Sequence, residues 1–138
     1  MRPLAAIEAE LDAFTVCAHG PEAARSLLAL SEEVLERWIV ARGATPAAGE
    51  REGFRLLALH RQGAQGTPSF NACRETCREI AYHHNLLCME PDSELAPQRQ
   101  RMMAMLARHL VLFVGGKLQV EGLGEFCCAS RPLRQESP

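Results

Sequence analysis

Lysine is nearly missing from this chain of 138 residues: Lys117 stands alone beside fourteen arginines among 15 basic residues. An excess of charge of either sign is missing too. The 15 basic residues face 17 acidic ones, for a formal net charge of -2, so no overall field draws the chain to nucleic acid or an anionic bilayer. Long apolar runs are absent. The longest stretch to consider for a membrane, 110–114, is far shorter than the roughly 20 residues that cross a bilayer. Glu8, Glu10 and Asp12 break the N-terminal segment before it reaches the apolar length of a signal peptide. The chain therefore reads as cytoplasmic, with no membrane and no nucleic-acid partner. No phosphate loop, dinucleotide fingerprint or H-E-x-x-H motif occurs, and no period of roughly 20–50 residues recurs, so the solenoid class drops out.

Hydrophobic residues make up 47% of the chain, enough for a core and too many for a disordered polypeptide. The length suits one domain, expected over residues 1–130, with 131–138 as a flexible tail. Arginine can mark recognition of carboxylates or phosphates. Twenty alanines accompany the fourteen arginines, however, and coding bias in a GC-rich bacterial genome is the favoured explanation of both.

Apolar periodicity predicts an all-α bundle of about five helices, over roughly 3–18, 21–42, 46–62, 68–89 and 97–120. Leu4, Ile7, Leu11 and Phe14 share one side of the first; Leu27, Leu28, Val34, Leu35, Trp38 and Ile39 follow helical spacing in the second. Thr45-Pro46 and Thr67-Pro68 repeat one start signal, a capping residue before a proline; Gly49 weakens the first and moves its expected start toward Glu50. Pro91 stops the fourth helix and Pro97 opens the fifth. Gly115-Gly116 raises a C-terminal hairpin as an alternative, but the stripe Met102, Leu106, Leu110, Phe113 runs on through Lys117 without a break in phase, which favours helix. Long single stripes would leave surface for a homodimer or another protein partner.

Six cysteines are many for a cytoplasmic chain, where thiols stay reduced and a disulfide framework is not expected. With Cys73 taken as zero on the fourth helix, about 100° per residue puts His84, Cys77 and Cys88 within about 60° of it. Residues four apart have Cβ atoms about 5–6 Å apart, too far for a disulfide in an intact helix but close enough for two sulfurs to hold one metal ion. Cys73, Cys77, His84 and Cys88 are thus the candidate ligands of a soft-metal site for Zn, Cu or Fe. Because His84 lies about 10 Å along the axis from Cys77, a complete site needs donors from elsewhere: Cys17, His19, His60, His109 or Cys127-Cys128. Packing is the commoner role of such cysteines, since a free thiol behaves as a small buried hydrophobe.

Thiol redox chemistry ranks lower, because Cys73 would lie in the second turn of its helix, where the dipole has faded. Arg74 and Arg78 are offset by Glu75 and Glu79, and the C-x2-C with a following histidine of helical thiol peroxidases is not reproduced, three residues separating these cysteines. The Met102, Met103, Met105 cluster reads as core. The expected function is a small non-enzymatic accessory or binding protein with a Cys/His metal site; a metal-free interaction module and a thiol-based enzyme or sensor are the alternatives.

Overall fold

Helical periodicity is realised, among the described residues, as five α-helices and one short 3-10 segment: α1 Leu4–Cys17, α2 Gly20–Ala41, α3 Arg55–Ala64, the 3-10 segment Pro68–Cys73, α4 Arg74–Met89 and α5 Ala96–Val120. The structure is a computed structural model and describes residues 2–17 and 20–123, the side chains of 14–17 excepted. Among the described residues there is no strand, and an isolated bridge between Arg51 and Phe54 is the only β-type pairing. The expected 131–138 tail lies outside the described residues.

The bundle closes around α2 and α5: α5 packs against α1, α2 and α4, and α2 also packs against α1, α3 and α4. Met103, Ala107, Leu110, Val111, Val114 and Leu118 turn the buried face of α5 into the spine of the core. This helix passes straight through Gly115-Gly116, so no hairpin forms; a Cβ on Gly115 would sit 3.4 Å from Leu4 Cδ2 of α1. By length and composition α5 is also the one described helix that could cross a bilayer, at a hydropathy of 1.2. Met102, Met105 and Leu112 are exposed on its other side, which corrects the reading of the methionine cluster: Met103 alone of the three is buried.

Two boundaries differ from the periodicity. Thr45-Pro46 does not open a helix, and α3 begins only at Arg55. Side chains take the backbone groups that a helix there would have used. Gln62 accepts from Ala47 N–H and donates to the Thr45 carbonyl, both at 2.7 Å, and Arg55 donates to the Ala47 carbonyl at 2.9 Å. Glu52 and Gly53 then adopt positive φ, 55° and 85°, closing a tight turn in which Arg51 and Phe54 exchange backbone hydrogen bonds of 3.0 Å. The second boundary is at Thr67-Pro68, which opens the 3-10 segment rather than α4 itself.

At the centre, Trp38 of α2 stacks on Phe70 of the 3-10 segment at 5.1 Å between centroids, and Phe113 of α5 meets Phe70 edge-on at 5.4 Å. Trp38 Nε1 donates to the Gly63 carbonyl at 2.9 Å. Gly63 is required at this crossing, because a Cβ there would lie 2.9 Å from Trp38 Cδ1. The Trp38–Phe70 stack fixes the 3-10 segment against α2 and α3, and so places the residue that follows it.

Candidate thiol site

That residue is Cys73. It ends the 3-10 segment and caps the N-terminus of α4 with φ -97° and ψ 9°, outside helical geometry. The expectation that it lies in the second turn is therefore overturned: the six residues from Pro68 form the tighter coil, and the dipole of α4 begins at Cys73. Cys77 stands in the first turn. Both thiols are buried, Cys73 2% and Cys77 0% exposed.

Two side chains meet at the Phe70 carbonyl. Cys73 Sγ donates to it at 3.2 Å. His60, brought in by α3, has Nε2 3.1 Å from the same oxygen and its ring stacked on Phe70 at 5.5 Å. Cys77, one turn further on, and His60 are the groups that act on the Cys73 sulfur. When Cys73 is a thiol, its proton goes to the carbonyl. When it is a thiolate, its sulfur accepts from Cys77 and from the imidazole.

These contacts separate two chemically equal side chains. The hydrogen bond from Cys77, supported by the His60 hydrogen bond and charge, pulls the Cys73 thiol down to about 6 despite the opposing effect of burial. The same contact, with burial, pushes Cys77 well above an ordinary thiol. For His60 burial acts downward, but the bond to Cys73, the Cys73 charge and the Phe70 carbonyl outweigh it and raise the imidazole. One proton is thus shed early from the pair and the second is held.

His84 and Cys88 form a separate contact, with Cys88 Sγ 3.6 Å from His84 Nε2. His84 also meets the edge of Phe54 at 5.6 Å and has Nδ1 3.3 Å from Asn85 Oδ1. The four residues of the expected metal site therefore fall into two pairs along α4. Among the described residues no group of three or more His, Cys, Asp or Glu is placed to hold a metal ion. The helix rise that separates Cys77 from His84 is the physical reason. His83 turns back to the Glu79 carbonyl at 2.8 Å, and His109 is exposed on α5. The Cys17 side chain, His19, Cys127 and Cys128 lie outside the described residues.

Of the outside donors named from sequence that lie among the described residues, His60 is the one that reaches the pair and His109 does not. The feature with no anticipation was the capping position of Cys73; the Thr67-Pro68 start signal marked the 3-10 segment that creates it. No family model, no curated protein and no solved structure matches the chain.

Proposed function

We propose that the protein is a cytoplasmic thiol–disulfide redox protein, with Cys73 as the attacking sulfur and Cys77 as its resolving partner. The observation behind this reading is the position of Cys73 at the N-cap of α4, one turn before Cys77 and sharing the Phe70 carbonyl with His60. A helix N-terminus and an adjacent imidazole favour thiolate over thiol.

The exchange balances with a disulfide of the form RSSR as oxidant. The Cys73 thiolate attacks one sulfur, the S–S bond breaks, and RS⁻ departs. Cys77 gives its proton to that thiolate and attacks Cys73 sulfur, releasing the second RS⁻, which is protonated from solvent as the dithiol's other proton equivalent. The net change is one dithiol and one RSSR to one protein disulfide and two RSH. Closing the bond requires the first turn of α4 to unwind locally, since four-residue spacing in a regular helix leaves the Cβ atoms about 1 Å or more too far apart. Cys73 already lies outside helical geometry, so the rearrangement is confined to the helix end.

Titration with oxidised dithiothreitol, followed by alkylation and intact-mass analysis, tests the reading. A single disulfide linking Cys73 and Cys77, lost in both Cys73→Ser and Cys77→Ser, is the expected result. Persistence of both thiols under conditions that oxidise a model dithiol would overturn it. Stoichiometric Zn, Cu or Fe in anaerobically purified protein would overturn it in favour of metal ligation by the same pair.

A further inference from the structure

Four of the arginines, drawn from three parts of the chain, gather on one cleft. Arg51 from the loop before α3, Arg61 from α3, and Arg74 and Arg78 from α4 line a depression of about 260 Å³, together with His60 and Asn71. Leu57 and Ala64 supply an apolar wall. The neighbouring acidic charge does not neutralise this set. Glu52 is shared, bonding Arg78 through two contacts of 3.0 and 3.1 Å and lying 3.8 Å from Arg51. Glu75 acts on Arg78, and Glu50 borders an adjoining depression that Arg51 and Arg61 also line.

Arg61 and Arg74 are exposed, and among the described residues neither has a hydrogen-bond or ion-pair partner. Two guanidinium groups without a hydrogen bond of their own therefore face one concave space, Arg74 within the field of Glu52, with two more on its rim held in place by the same carboxylate. Arg74 is also the first residue of α4, so the positive end of the helix dipole adds to the same field. Gathering like charges is unfavourable for the folded chain by itself, and an anion in the cleft relieves it. Guanidinium forks match planar or tetrahedral oxyanions through paired charge-assisted hydrogen bonds.

We propose that this cleft binds a phosphoryl group, with Arg61 and Arg74 as its direct ligands and Arg51 and Arg78 completing the positive rim. His60 lies between this site and the thiol pair, lining the cleft on one side and sharing the Phe70 carbonyl with Cys73 on the other. Phosphate binding does not depend on the redox reading, and Cys73→Ser retains it.

The test uses the full chain at constant ionic strength set by chloride. Inorganic phosphate, glycerol phosphate as a simple monoester, and citrate are titrated separately, with heteronuclear NMR of the His60 ring as the readout. Saturable shifts with phosphate alone identify the free ion as ligand; tighter saturation with glycerol phosphate identifies an esterified one. Either supports the site if the double variant Arg61→Ala/Arg74→Ala weakens binding by roughly tenfold or more and Arg108→Ala, outside the cleft and paired with Asp12, leaves it unchanged. The proposal is overturned if the double variant binds as the wild type does, if chloride alone gives the same shifts, or if citrate binds more tightly than either phosphate. Both substituted arginines are exposed, and Arg61→Gln/Arg74→Gln provides a second variant that keeps side-chain bulk.

Discussion

Cys73 and Cys77 carry the same group four residues apart, and their surroundings drive their protons in opposite directions. Alkylation of Cys73 is expected to follow a thiolate titration centred near the depressed value of about 6. Cys77→Ala removes the leading cause of that depression, so the rate profile should shift upward in pH; an unchanged profile would mean that Cys77 does not stabilise the thiolate. The sign for stability follows from linkage. An acid depressed in the folded state contributes stability that is present above its unfolded value and is lost as pH falls through its folded value. For Cys73 that window runs from 9.0 down to about 6. Cys77, raised in the fold, changes its contribution only above that range. The melting temperature of wild type relative to Cys73→Ser should therefore rise with pH across the window, as scanning calorimetry would show. His60 enters with the opposite sign: raised in the fold, its contribution is present below its ordinary value and is lost as pH rises through its folded value, so it flattens the lower part of the window.

Helix boundaries show how far local sequence reaches. The centres of all five helices were legible because each has an apolar stripe at helical spacing, and α5 ran through its glycines because that stripe kept phase. The start of α3 was not legible, since the bonds that hold 45–47 out of a helix come from Gln62 and Arg55, both later in the chain. The candidate site was half legible for the same reason. The two thiols and the His84–Cys88 contact follow from four-residue spacing, whereas the approach of His60 and the convergence of four arginines depend on how α3 packs against α4. In the sequence Arg74 and Arg78 read only as neighbours of Cys73 offset by Glu75 and Glu79; the packing is what brings them to Arg51 and Arg61. Gly63 belongs to this scale as well. Replacing a helical glycine with alanine normally stabilises by up to about 1 kcal/mol, but the new Cβ would lie 2.9 Å from Trp38 Cδ1. Gly63→Ala is thus expected to destabilise by about 1–3 kcal/mol, measured by chemical denaturation; a gain in stability would show that the α2–α3 crossing adjusts freely.

As a whole, the molecule is built on α2, which packs against α1, α3, α4 and α5, and on α5, which α1, α2 and α4 all use as a wall. The two faces of α5 should answer mutation very differently. Leu110 is fully buried and Leu112 is 62% exposed. Leu110→Ala is expected to cost about 2–5 kcal/mol, and Leu112→Ala to stay within about 0.5 kcal/mol. Urea unfolding of the two variants checks this; equal costs would mean that the exposed face of α5 is covered in solution.

The Trp38–Phe70 stack also gives the protein a built-in optical probe. Trp38 is the only tryptophan, and the ring stacked on it belongs to the residue whose carbonyl receives the Cys73 thiol and faces His60. Arg42 and Lys117 lie 5.2 and 5.9 Å from the indole ring centre, so its emission senses the surrounding charge as well as the stack. A rearrangement at Cys73 that pulls on the Phe70 carbonyl would be visible as a change in indole fluorescence, with no label attached and no residue replaced.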